Sequence, residues 1–243
     1  MKSYFTLALI IVVLPVLSYL YFTIAIADPV DRVFLSISTF LYSIFTGFFI
    51  SRQASRFNKV RETVTKFDGI MSNIYRTSGH ISATLQTEIG AVITAHYEKI
   101  FASNKWNYHF ENKSTTLKSI HGLLDEHIDE KKVTKLSNQS IGAIVKGLGA
   151  AQDIRKSMLA LSKERVPFEQ WILILFFVAM LIGTVSTMSS VGLLWPSVLK
   201  AAFVISVLSV MFILHRLNNL AFTEDLMGAE SAQDVLDIID GTK

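Results

Sequence analysis

Six histidines offer the first chemistry to weigh: His80, His96, His109, His121, His127 and His215. The tightest grouping is HGLLDEH, in which His121 and Asp125 stand one helical turn apart and His127 follows. One turn of helix brings an imidazole and a carboxylate close enough to share a metal, but a stable site needs convergent third and fourth ligands. The spacing supplies none, so the ordinary reading is a solvated polar face and no metal is assigned. The chain has no cysteine, which excludes disulfide scaffolds, thiolate zinc sites and cysteine nucleophiles. The patterns G-x-x-x-x-G-K-[ST], G-x-S-x-G, H-E-x-x-H and G-x-G-x-x-G do not occur. GLGAAQ at 147–152 is rich in glycine but follows no strand. The sequence therefore predicts no catalytic residue, no cofactor and no enzyme.

Hydroxyl groups form the second set. FLSISTFLYSIFTGFFI, residues 34–50, carries no charge and five phenylalanines, yet Ser36, Ser38, Thr39, Ser43 and Thr46 interrupt it. On a helix Ser36, Thr39, Ser43, Thr46 and Gly47 fall at i, i+3, i+7, i+10 and i+11, on one narrow face. Ser38 lies off that face and Phe40 borders it. Two chemistries suit such a stripe. The hydroxyl dipoles can replace part of an ion's hydration shell in a pore. Alternatively, Ser43-x-x-x-Gly47 lets two helix backbones approach closely in lipid. From the residues alone packing is the first reading and pore lining the second, because small residues at helix interfaces are common in lipid.

Elements long enough to carry these groups follow from hydropathy. The chain has 243 residues, 51% of them hydrophobic, and only 18% are charged, against about 25% in soluble domains. Four uncharged windows stand out: Tyr4–Ala27, Val33–Ser51, Gln170–Leu199 and Ala201–His215. A spanning helix needs about 20 apolar residues. The first three windows qualify alone. The fourth qualifies when extended back to Leu193, with Lys200 snorkelling to the interface. The third is too long for one span, and Gly192 and Trp195-Pro196 offer a turn before the fourth. Residues 1–27 also resemble a signal peptide, with Lys2 ahead of the apolar run and Ala25-Ile26-Ala27 at its end. The run exceeds the usual 7–15 residues, which favours a retained helix. No carboxylate or arginine lies inside these windows, which argues against a proton-coupled pump or a voltage sensor.

Charge orients the spans. Arg52, Arg56, Lys59, Arg61 and Lys66 follow the second window, Arg155, Lys156, Lys163 and Arg165 precede the third, and Arg216 follows the fourth. All lie on one side, so the positive-inside rule places the central region and both termini in the cytoplasm. Asn112-Lys-Ser and Asn138-Gln-Ser then match the glycosylation pattern by chance. Residues 52–165 hold 18 Lys/Arg against 11 Asp/Glu, an excess that fits this rule and attraction to anionic headgroups. Aromatics are not interleaved with the charges, so nucleic acid is not a predicted partner.

The central region lacks proline and reads as helices. Phe57, Val60, Val64, Phe67, Ile70, Met71 and Ile74 extend the second span at helical spacing. A second helix covers about 81–106, a third carries Leu117, Ile120, Leu124 and Ile128 behind Ser114 or Thr115, and a fourth runs from about Ser140 to Arg165. Apolar stripes need partners, so these helices should bundle. In the acidic tail Glu230, Asp234 and Asp237 oppose Val235, Ile238 and Ile239. A docked amphipathic helix is the plain reading, a regulatory cation site the alternative.

Two segments resemble the uncharacterised bestrophin-like membrane proteins: RFNKVRETVTKFDGIMSNIYR (56–76) and HYEKIFASNKWN (96–107), where Tyr97 precedes Trp106 by nine residues. Lys105 stands where that family usually has an acidic residue. Bestrophins are pentameric anion channels with the second span lining a hydrophobic neck and a calcium-binding acidic segment after the last span. The resemblance thus implies, by analogy, a homo-oligomeric channel for small inorganic ions. Its pore-lining candidates are Ser36, Thr39, Phe40, Ser43, Thr46 and Gly47, and its regulatory cation candidates are Glu224 and Asp225. The alternatives are a non-conducting, membrane-anchored scaffold or sensor for a cytoplasmic partner, and a membrane-active defence effector. The expected architecture is an all-α, multi-pass integral protein of the lipid bilayer, in a bacterial inner (plasma) membrane. Two spans occupy residues 1–51, a cytoplasmic helical insert 52–166, two further spans 167–216 and an acidic tail 217–243.

Overall fold

The computed structural model describes residues 15–20, 23, 32–103, 107, 115–127, 134–188, 193–220 and 229–242. Among them the regular elements are helical, with seven longer helices: α1 (Arg32–Ser78), α2 (Ala83–Ser103), α3 (Thr116–His127), α4 (Lys135–Lys163), α5 (Phe168–Thr187), α6 (Leu194–Asn218) and α7 (Ala229–Ile239). The chain divides into two compact units. One comprises residues 1–54 and 165–219, the other residues 55–164 and 220–243. α1 contributes to both.

The first unit holds the apolar segments. Three stretches among the described residues are long and apolar enough to cross a membrane, within Val33–Ser78, within Lys135–Thr187, and at Leu194–Asn218. The expected first span lies mostly outside the described residues, of which 15–20 are helical. Tyr42 and Phe49 of α1 pack with Ile174, Phe177 and Leu181 of α5 and with Val207 and Leu214 of α6. Lipid tails are as apolar as these side chains, so close packing and interhelical hydrogen bonds must hold the helices together. The Phe45 and Phe177 rings stack with centroids 5.4 Å apart. The Tyr42 hydroxyl donates to the Val207 carbonyl at 3.1 Å.

The ends of α5 and α6 are tied by polar contacts. α6 begins at Leu194, so Trp195-Pro196 falls in its first turn, where a missing N–H costs little. Lys200 stands in the second turn of α6. It is buried, and its ammonium donates to the Met188 carbonyl just beyond α5. The final carbonyls of a helix lack partners and carry the negative end of its dipole, so a cation there satisfies both. At the other end Asn218 accepts the Val166 N–H at 2.7 Å, joining the entry to α5 with the exit from α6.

The second unit is a helical bundle with its own core. Phe67, Met71 and Ile74 of α1, Leu85, Ile89, Ile93 and Tyr97 of α2, and Ile120 and Leu124 of α3 meet there. Ile144, Leu148 and Ala151 of α4 and Ala232 and Val235 of α7 complete it. Each large side chain so buried contributes about 1.5–3 kcal/mol. α2 packs against α3 and α7, and α3 against α4. α4 starts at Lys135, five residues before the apolar stripe suggested. Thr134 caps it by accepting the Ser137 N–H at 3.1 Å. Gly147 allows close approach of α4 to α1, since a Cβ there would lie 3.3 Å from Ile74 Cγ1. Arg56 is buried, and its guanidinium donates to the Leu161 and Ser162 carbonyls at the end of α4. The acidic tail supplies α7, whose Ala232 and Val235 join the core as a docked amphipathic helix should. Trp106, Ser114 and Ile128 lie outside the described residues.

Candidate functional site

The hydroxyl stripe lies in the apolar part of α1, and the structure divides its members. The buried face there runs Ser38, Tyr42, Thr46, Phe49 and Gln53, at steps of three and four. The opposite face carries Ser36, Phe40, Ser43, Gly47 and Ser51, all exposed. Thr39 is half-buried between them. Thr46 therefore turns away from Ser36 and Ser43, although all three occupy one side of a helical projection. Ser38, off the stripe, is fully enclosed. Phe40 is 64% exposed and has Ile37, Ile44 and Phe48 as exposed neighbours. A Cβ built at Gly47 meets nothing within 4 Å. Among the described residues this face is exposed.

The hydroxyl hydrogens are committed to the helix itself. Thr39 donates to the Leu35 carbonyl at 2.8 Å, Ser43 to that of Thr39 at 2.8 Å, and Thr46 to that of Tyr42 at 2.6 Å. Such bonds to i−4 satisfy hydroxyls in a medium without water. Donating to any other group would mean breaking these bonds, by turning each O–H about its Cβ–Oγ bond. Phe40 and Phe48 also carry weakly positive ring edges on this side of the helix.

Sequence reasoning missed a second polar site, in the other unit. Asp68 of α1 is only 4% exposed. Tyr97 of α2 donates to its Oδ1 at 2.6 Å, and Ser231 of α7 donates to its Oδ2. Burial pushes the Asp68 carboxyl up to about 6, although both hydroxyl donors pull it down. Burial, and the carboxylate beside it, push the Tyr97 phenol well above its ordinary range. His96, next to Tyr97, is also buried. Its Nδ1 lies 2.9 Å from Thr116 Oγ1 and its ring stacks on Phe67. The available signal was a carboxylate on the apolar side of α1, one turn from Val64 and Met71. Its partners lie 29 and 163 residues away.

The remaining candidates are dispersed. His121 and Asp125 are exposed on α3. His127 sits apart from them, with Nδ1 3.0 Å from the Leu123 carbonyl and Nε2 3.5 Å from the Glu88 carboxylate. Among the described residues no three His, Cys, Asp or Glu side chains converge as metal ligands. Glu224 and Asp225 lie outside the described residues.

Against known proteins, the family model described as Bestrophin-like domain matches residues 6–220. No curated protein and no solved structure matches the chain.

Proposed function

The chain belongs to the bestrophin-like family, and we propose that this membrane protein assembles into an oligomeric, anion-permeable channel whose conduit is lined by the apolar part of α1. The observation that carries the reading is the open face of that helix. Phe40, Ser36, Ser43 and Gly47 lie exposed on one side of it, and a Cβ at Gly47 would meet nothing within 4 Å. Copies arranged around an axis would turn this face inward. Phe40 then forms a hydrophobic constriction that gates by dewetting, and Ser36 and Ser43 flank it with weak dipoles. Thr39 and Thr46 take the supporting role of hydroxyls bonded within the wall. The basic flanks support a cytoplasmic second unit, by the positive-inside rule. The reading assigns no catalytic chemistry, cofactor or nucleic-acid partner.

The absence of cysteine makes the test clean. Single cysteines at Phe40, Ser43 and Ser38 are introduced into purified protein reconstituted in planar bilayers. A water-soluble thiol reagent should reduce current through the Phe40→Cys and Ser43→Cys proteins and leave Ser38→Cys unaffected. Currents that no position renders sensitive would place the conduit elsewhere.

A second reading has its own support. The empty volume beside Gly47 suits close approach of another helix as well as it suits a lumen. In that case the face is a packing seam and the protein a non-conducting, membrane-anchored scaffold.

A further inference from the structure

We propose that α7 is a proton-dependent latch, docked tightly on the second unit when the Asp68 carboxyl is protonated and loosened when it is ionised. The inference concerns this unit alone and does not depend on whether the protein conducts.

The geometry is a carboxyl walled in by three helices, one of which is the C-terminal helix. α1 carries Asp68, α2 closes one side with Tyr97, and α7 closes another with Ser231. Much of the α7 seat is apolar. Ala232 and Val235 enter the core, and Leu236 and Ile239 pack against it. The Tyr75 hydroxyl donates to the Ile239 carbonyl at 3.2 Å. Gly90 of α2 permits this close fit, because a Cβ there would lie 3.1 Å from the Tyr75 ring and 3.4 Å from Ile239. Asp68 is thus the one ionisable carboxyl among the described core residues whose enclosure depends on α7. Withdrawing α7 removes Ser231 and admits water to the carboxyl.

Among the described residues no cation pairs with the Asp68 carboxyl itself. Tyr97 and His96 face it from α2, and Ser231 is flanked on α7 by Glu230 and Asp234. On α1, Lys66 and Glu62 pair with each other at 2.6 Å on the exposed side. α4 brings half-buried Arg155 and an exposed Asp153–Lys156 pair at 3.4 Å. Among the described residues the contacts of the Asp68 carboxyl are the two hydroxyls. Ionisation therefore leaves a buried charge that two neutral donors stabilise only in part.

The sign follows from linkage. Asp68 titrates near 6 with α7 in place, against an ordinary value of 3.8. The docked state binds the proton more tightly, so docking is strongest in acid and weakens as pH rises through about 6. If undocking restores the ordinary value, the docking equilibrium weakens about tenfold between pH 5 and pH 8.

Thiol protection reads this directly on the full-length protein in lipid nanodiscs. Val235→Cys places a probe in the buried face of α7, and Gln233→Cys places one on its exposed face. The ratio of their labelling rates cancels the pH dependence of thiolate reactivity. Protection of position 235 relative to 233 should fall about tenfold from pH 5 to pH 8. In the Asp68→Asn background it should stay constant, because the amide is neutral throughout. A ratio that does not change with pH, or the same change in Asp68→Asn, would overturn the latch. Ser231→Ala provides a second arm should the Asn variant fail to fold. It keeps the carboxyl and removes a donor to its ionised form, so the midpoint of protection should move to higher pH. A midpoint that stays in place would equally refute the proposal.

Discussion

Arg56 donates from Nε to the Leu161 carbonyl at 2.7 Å and from Nη2 to the Ser162 carbonyl at 3.0 Å, so a residue of α1 closes the C-terminal end of α4. The guanidinium does two things at once. It satisfies carbonyls that α4 leaves unpaired, and it sets a positive charge at the negative end of that helix. The planar fork matters, since a lysine ammonium has different geometry.

Arg56→Gln should therefore destabilise the bundle by about 2 kcal/mol, the range for hydrogen bonds to a charged group. Arg56→Lys should recover only part of that loss. Thermal unfolding in detergent reads both, and wild-type stability of the Gln variant would mean that the contact contributes nothing.

Lys200 gives a parallel expectation in the first unit. Its ammonium holds the Met188 carbonyl at the end of α5. Lys200→Met preserves the stem and removes the donor, leaving that carbonyl unpaired at a cost of about 1–3 kcal/mol. The melting temperature in detergent should fall, whereas a variant at exposed Leu199 should leave it unchanged.

The orientation proposed for the two units is open to labelling. Ser103 lies at the end of α2 and Ser186 near the end of α5. With single cysteines at these positions, an impermeant thiol reagent on intact cells should modify Ser186→Cys and spare Ser103→Cys. The reverse pattern would invert the topology drawn from the positive-inside rule.

Periodic features were legible in the sequence, and long-range pairings were not. Val60, Val64, Phe67, Met71 and Ile74 recur at helical spacing, and that period alone predicts which side of α1 is buried. The α4 start was misplaced because its signal is the Thr134 cap, ahead of the first buried apolar residue. Arg56 and Asp68 share the buried side with Val60 and Val64, which marks them as unusual without naming their partners. A hydrogen bond from Ser231 to Asp68 crosses 163 residues and leaves no periodic trace. The stripe on α1 shows the converse failure. A projection joins Thr46 to Ser43, yet one is buried and the other exposed, because width of contact is a tertiary property.

Side-chain bulk separates a packing seam from a lumen on the open face. Gly47→Leu and Ser43→Leu should break the oligomer if another helix lies against them, by forcing backbones apart. If they face a lumen, the oligomer should survive and its permeability should drop. Size and flux measured on the same purified samples distinguish the outcomes, and Ser43→Ala should preserve assembly in either case.

Flux through assembled wild-type oligomers is the most direct test of the channel assignment. The purified protein is reconstituted in liposomes and planar bilayers, its oligomeric state is verified, and several anions are tried over a range of voltages. Anion flux is expected, and Phe40→Ala should raise it by widening and wetting the constriction. Well-assembled oligomers that pass no ion in wild-type or Phe40→Ala form would contradict the channel and leave the scaffold.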